Sequence, residues 1–287
     1  MKEQKYIIEN QESFELKDIF ECGQCFRWNE NKDGSYTGVI NNGVLNVVKQ
    51  SEKIIFTGML DGDIKEIVRF YFDLDRNYEE IKMQLSNIDK YLKTSVEYGK
   101  GIRILNQDLW ETIISFIISA NNNIPRIKGI IERISKKYGT EIEWNGEKYY
   151  TFPTPKQLRK ATVEDLRSLG TGFRDIRIYE TTQKVLSGEF NLNEIQNKDT
   201  LSAREELLTL SGVGPKVADC ILLFSTLKRF DVFPIDVWVR RVMNELYIKN
   251  EDETKVSKNE ISKIAKKKFG NLEGLAQQYL FYWKRES

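Results

Sequence analysis

Five residues, Gly212-Val213-Gly214-Pro215-Lys216, break the helical spacing of Leu207 to Ala218 and leave that stretch one local shape. Glycine reaches backbone angles closed to other residues, and proline at a first helical turn loses nothing for its missing N–H. The chain must run helix, tight hairpin, helix. The N–H groups of the turn and of the opening helix then point outward together, which suits one oxygen of a phosphate and equally describes a plain αα corner. Lys216 falls in the first turn of the second helix, with Cys220 one turn further on the same face. The helix dipole and partial burial both disfavour a charged lysine there, which predicts a depressed pKa and a neutral amine nucleophile.

Composition narrows the alternatives to that amine. The 287 residues include no histidine, which excludes imidazole catalysis, His-ligated zinc and every Ser-His or Cys-His arrangement. Three cysteines, Cys22, Cys25 and Cys220, support neither a disulfide framework nor a four-cysteine metal or iron-sulfur site, so no metal and no cofactor are expected. They read as reduced thiols of an intracellular protein, Cys22 and Cys25 as small packing residues. No apolar run approaches the ~20 residues of a membrane span, and the N-terminus carries no targeting pattern, so a soluble protein of the cytoplasm or nucleoid is expected.

The formal charge of +1 gives no general case for a nucleic-acid partner. Residues 1–100 hold 14 basic and 18 acidic side chains and the remainder 30 and 25, so the basic excess lies in the second part. Texture changes at the same place. From Tyr6 to Gly58 short apolar stretches alternate with turn signals, Asn31-Lys32-Asp33-Gly34 and Asn41-Asn42-Gly43, which predict an antiparallel sheet. Asp63–Leu74 and Tyr78–Leu92 have helical spacing and are expected to cover one face of it. From about Gly99 the signals are helical, with capping boxes at Asp108-Leu109-Trp110-Glu111 and Ser202-Ala203-Arg204-Glu205 and prolines at 125 and 155 in first turns. The expected architecture is an α+β domain over residues 1–98 followed by an all-α domain over 99–287.

A second chemical candidate is Asp236, in Pro234-Ile235-Asp236-Val237-Trp238. It precedes a helical run and reads as an N-cap, and a carboxylate held that way can also stabilise positive charge developing at a sugar carbon.

The hairpin together with Pro234-Ile235-Asp236 resembles the signature of the helix-hairpin-helix DNA glycosylase superfamily that includes endonuclease III. Within it the chain is similar to the 8-oxoguanine DNA glycosylases over nearly its whole length. Gly23-Gln24-Cys25-Phe26-Arg27-Trp28, Ser119-Ala120-Asn121-Asn122-Asn123-Ile124-Pro125-Arg126, Leu169-Gly170-Thr171-Gly172-Phe173-Arg174, Gly212 to Cys220, and Gly274 to Phe281 match in order. The iron-sulfur cysteines of endonuclease III are absent.

The resemblance implies a bifunctional glycosylase and apurinic-site lyase that removes 8-oxoguanine opposite cytosine from double-stranded DNA, acting as a monomer without membrane association. Lys216 would attack C1′ and form a Schiff base, with Asp236 supporting the cationic transition state. Cys220 and Phe281 would sandwich the extruded base, Gln277 would read its Watson-Crick edge, and the Gly23 carbonyl would accept the N7–H that guanine lacks. Asn121 would fill the vacated space, Phe173 would wedge the duplex, and Arg126 and Arg174 would contact the orphaned cytosine. Gly212, Gly214, Val217 and Trp238 would meet backbone phosphates. Two departures stand out. Trp238 occupies the place of a histidine, and Phe173 that of a tyrosine. Two other readings stay open: a glycosylase of the same fold for another lesion, and a helix-hairpin-helix protein that only binds DNA.

Overall fold

A computed structural model describes residues 2–286. Five antiparallel strands form one sheet: β1 (Gln4–Glu9), β2 (Trp28–Glu30), β3 (Tyr36–Ile40), β4 (Gly43–Gln50) and β5 (Lys53–Met59), in the order β1-β5-β4-β3-β2. Asn41 and Asn42 take φ of 44° and 55° between β3 and β4, the left-handed pair that a two-residue hairpin needs and asparagine tolerates. One face of the sheet packs an aromatic core of Phe14, Phe20, Trp28, Phe56 and Phe72 beneath the Ile64–Tyr71 helix.

The other face is covered by an element that the sequence reading misses. A hairpin, β6 (Glu141–Trp144) and β7 (Glu147–Tyr150), sets Ile142 and Trp144 on Val39 and Val44. The helical reading from Gly99 onward overlooks it, although Asn145 and Gly146 turn it with positive φ. A second difference concerns residues 78–98. They form two helices, Tyr78–Ser86 and Lys90–Tyr98, with Asp89 capping the second through the N–H groups of Tyr91 and Leu92. Their apolar stripe, Leu85, Leu92 and Val96, enters the helical core with Leu275 and Tyr279 of the Glu273–Glu286 helix and does not cover the sheet. The helix before the Gly212 hairpin also starts earlier than expected: it spans Thr200–Leu207, and Asp199 caps it in place of Ser202.

Buried polar side chains fasten sheet to helices. Gln24 donates to the carbonyls of Ile19 and Arg103 and accepts from the N–H of Leu105. Gln107 donates to the carbonyls of Gln24 and Phe224, the latter at the end of the Pro215–Phe224 helix. Nearby, Arg103 donates to the carbonyls of Ser13 and Asp73 and lies over the Tyr78 ring, while Lys228 sits 3.6 Å from the Asp73 carboxylate. Burial lowers Lys228 to about 7. Asp73→Asn removes the carboxylate that Lys228, Arg76 and the Tyr78 hydroxyl share. The expected cost is about 3 kcal/mol in urea unfolding. It should be larger at pH 6, where Lys228 is charged, than at pH 9; an equal cost at both would show that Lys228 takes no part.

Candidate active site

The hairpin forms as its glycines require. Gly212 has φ +84°, the N–H of Val213 bonds to the carbonyl of Leu210, and Gly214 is the residue before the Pro215–Phe224 helix, with proline at its first turn. A side chain at Gly214 would meet nothing within 4 Å, so its absence leaves a bare backbone facing open space. Val217 buries its side chain in the helical core, so it has only its backbone to offer a phosphate.

Lys216 lies over the Phe116 ring with its Nζ 5.5 Å from the centroid, half-buried between the hairpin and the core. The expectation of a depressed pKa fails. Cys220, one turn along, favours the ammonium and outweighs the burial that opposes it, and Asp236 adds a further favourable charge, so Lys216 stands above its ordinary value. Burial in turn pushes the Cys220 thiol up to about 11. The pair is therefore ammonium and thiol near neutrality. Asp236 is the N-cap of the Val237–Met243 helix: its Oδ1 accepts from the N–H of Val239 at 2.8 Å. Trp238 in that first turn is 58% exposed, with the Arg241 guanidinium over its ring.

Beneath the Asp236 helix Phe233, Val239, Val242, Met243, Gln277, Leu280 and Phe281 line an apolar pocket that is collapsed, with no room for a water molecule. Gln277 is 6% exposed, and its Oε1 is a buried acceptor with no hydrogen-bond partner among the described residues. An orphan acceptor of this kind costs about 1–3 kcal/mol, which a donor brought by a ligand would recover. Phe281 lies one turn beyond Gln277 on the same helix. Gly23, at φ +89°, lies beside this ring: an added Cβ there would come within 3.5 Å of the Arg285 guanidinium and 3.8 Å of Phe281. Gln278 donates to the carbonyl of Cys22 and so pins the Gly23 loop to this helix. Sequence reasoning missed Gln278 and Gln24; their signal, glutamine beside a glycine or an aromatic residue, has no meaning until the backbone they bridge is known.

A second group gathers around the Asn-triplet loop. Asn123 caps the Ile124–Tyr138 helix, Asn121 adopts φ +51°, and Arg126 is exposed. Phe173 is 53% exposed on a turn containing Gly170 and Gly172, both at positive φ. Arg174 is placed otherwise than expected. It is 1% exposed and donates to the carbonyls of Ala120, Asn121 and Thr171, tying the wedge loop to the Asn loop. The left-handed turn at Asn121 frees those carbonyls from the preceding helix, and a guanidinium is the side chain with enough donors to satisfy them. Arg133, which sequence reasoning missed, holds the same loop through the carbonyl of Leu169. Among the described residues no helix is long and apolar enough to cross a membrane, and no cluster of three or more His, Cys, Asp or Glu is placed to hold a metal ion.

Two family models match consecutive parts of the chain: the N-terminal domain of 8-oxoguanine DNA glycosylase over residues 6–113, and the HhH-GPD superfamily of base excision DNA repair proteins over 114–268. A probable N-glycosylase/DNA lyase of Methanothermobacter thermautotrophicus is 34% identical over 244 residues, 78% of this chain and 76% of that one. The N-glycosylase/DNA lyase of Saccharomyces cerevisiae is 32% identical over 259 residues, 81% and 68% of the two chains. Among solved structures, the Clostridium acetobutylicum 8-oxoguanine glycosylase/lyase bound to double-stranded DNA with cytosine opposite 8-oxoguanine superposes with a TM-score of 0.93 at 44% identity, covering 99% of this chain and 97% of that one.

Proposed function

The chain belongs to the HhH-GPD superfamily and its 8-oxoguanine DNA glycosylase branch, and from that premise we propose how its residues divide the work of an N-glycosylase and DNA lyase. It excises 8-oxoguanine from duplex DNA in base excision repair. The Lys216 amine, once it has lost its proton, attacks C1′ of the extruded nucleotide; the C1′–N9 bond breaks and its electrons leave with the base. Loss of a second proton from nitrogen and opening of the sugar give a Schiff base. Removal of a C2′ proton then expels the 3′ phosphate. Asp236, fixed by its cap, sits opposite the positive charge that grows at the sugar.

The observation that carries this assignment is the unpartnered Oε1 of Gln277, buried beside Phe281. A purine bearing N1–H and an exocyclic amine supplies the missing donors, Phe281 stacks on one face and Cys220 on the other, and the Gly23 carbonyl accepts N7–H. Guanine would set a lone pair against that carbonyl. The pocket is collapsed in the free protein, so the ring of Phe281 moves to admit a base. Arg126 is the exposed reader of the orphaned cytosine, whose O2 and N3 accept; Arg174 reaches it only by releasing the carbonyls it holds. Asn121 and Phe173 enter the duplex, and the backbone at Gly212, Gly214 and Val217, with the Trp238 indole N–H, meets phosphates. All of these groups come from one chain, so a single copy, working in the compartment that holds the DNA, suffices.

The test is borohydride trapping on duplexes with one 8-oxoguanine opposite each of the four bases. A covalent adduct strongest opposite cytosine is expected. Base release without an adduct would indicate water as the nucleophile, and neither adduct nor release would indicate another lesion. The raised Lys216 pKa adds a second expectation. Because only the free amine attacks, the single-turnover rate should climb about tenfold per pH unit from pH 6 to 9. A plateau starting near pH 7 would mean that bound DNA strips the proton in a way the free protein does not.

A further inference from the structure

Arg177 stands in a cluster of three guanidinium groups with Arg126 and Arg174. It is the third residue of the Asp175–Leu186 helix, in the first turn, where the helix dipole disfavours positive charge. Arg126 and Arg177 both push against the charge of Arg174, which burial already opposes, and no carboxylate acts on that group. Of the carboxylates near it in the chain, Asp175 is taken by Arg167 at 2.6 Å, and Glu180, three residues on, accepts from the Ser211 hydroxyl at 2.6 Å and makes no ion pair with Arg177. Among the described residues Arg177 has no ion pair and no hydrogen-bond partner; its contact is with a ring, the guanidinium lying 5.0 Å over exposed Phe173. Three clustered guanidinium groups raise the energy of the free protein and lower it again when an anion arrives.

Its stem is held as firmly as its head is free. An added Cβ at Gly212 would come within 2.8 Å of Arg177 Cδ and 3.1 Å of its Cβ, so the glycine of the hairpin makes room for this side chain. The same helix grips the hairpin again below: Thr181 donates to the carbonyl of Ser211, Ser211 to the carboxylate of Glu180, and Lys184 to the carbonyl of Thr209. Arg177 therefore occupies a fixed place between the wedge at Phe173 and the turn at Gly212.

We propose that Arg177 is a DNA-backbone contact and a positioning residue for the wedge: its guanidinium takes a phosphate on the duplex between Phe173 and the hairpin while its plane stays on the Phe173 ring. A planar group with donors in a fork can do both at once; an ammonium can bind the phosphate and cannot stack. The inference rests on the DNA-repair reading above but not on which base is removed.

The experiment measures binding to a duplex carrying an uncleavable abasic-site analogue between about 50 and 300 mM salt, with 2-aminopurine beside the analogue to report unstacking. Arg177→Gln should reduce the slope of log affinity against log salt by about one and weaken binding about 5- to 20-fold at low salt. It should also lower the 2-aminopurine rise. Arg177→Lys should restore the slope and leave the fluorescence low. An unchanged slope in Arg177→Gln, or full fluorescence in Arg177→Lys, overturns the assignment, and melting curves of both variants show whether a loss is one of folding. A wild type that binds this duplex with the expected slope yet releases no 8-oxoguanine would sink the substrate assignment and leave Arg177 standing.

Discussion

Lys216→Gln keeps the duplex bound and the damaged base in place. Glutamine preserves a polar side chain of similar length over Phe116 and beside Cys220, so the helix that opens at Pro215 has no reason to move. The phosphate grip proposed above uses backbone N–H groups of the hairpin, which the substitution does not touch, so binding should change less than about threefold. The amide has no nucleophilic lone pair, so the trapped adduct should vanish and the single-turnover rate should fall at least about 10³-fold, the scale on which losing a nucleophile is felt. A surviving adduct would point to a different amine. Loss of binding along with excision would mean that the ammonium, which Asp236 and Cys220 hold in place, serves the architecture and not the reaction.

That site was largely legible because its geometry is local. Gly212, Gly214 and Pro215 dictate their own backbone, and an aspartate before a helical run caps it whatever the fold. The charge of Lys216 was not legible. It depends on a buried thiol one turn along and on Asp236, twenty residues away, which together outweigh the burial that opposes the charge. Arg174 shows the same limit. In sequence it is an arginine on a glycine-rich loop, free to reach DNA; in the structure the left-handed turn at Asn121 strands two carbonyls that only this side chain answers.

The fold divides along similar lines. Asn41-Asn42 and Asn31 to Gly34 place the sheet turns without help, whereas β6 and β7, four residues each, gain stability only from the sheet face they cover, so their turn signal was outvoted by the helices around them. Helical spacing over 78–98 marked an apolar stripe but not its partner. Which core receives a stripe is settled by chain path, here by the C-terminal helix that arrives nearly two hundred residues later.

Asp236 has two duties that a pair of substitutions can separate. As a cap, its Oδ1 accepts the Val239 N–H, a bond worth about 1 kcal/mol, and asparagine caps about as well as aspartate. As a charge, it acts on Lys216 and, in the mechanism proposed above, on the sugar cation, a duty for which asparagine is useless. Asp236→Asn should therefore melt within a degree or two of wild type while excision falls about 10²- to 10³-fold. Asp236→Ala should show the same kinetic loss and lose the cap as well, with an unfolding cost near 1 kcal/mol. Removing the carboxylate also withdraws one of the groups that hold Lys216 protonated, so its pKa should drop in both variants. Raising the pH should then rescue neither, because the deficit lies in the stabilisation of positive charge and not in the supply of free amine. If Asp236→Asn regained wild-type rate at pH 9, the carboxylate would be serving as the base that takes the lysine proton, and the sugar cation would have to be stabilised elsewhere.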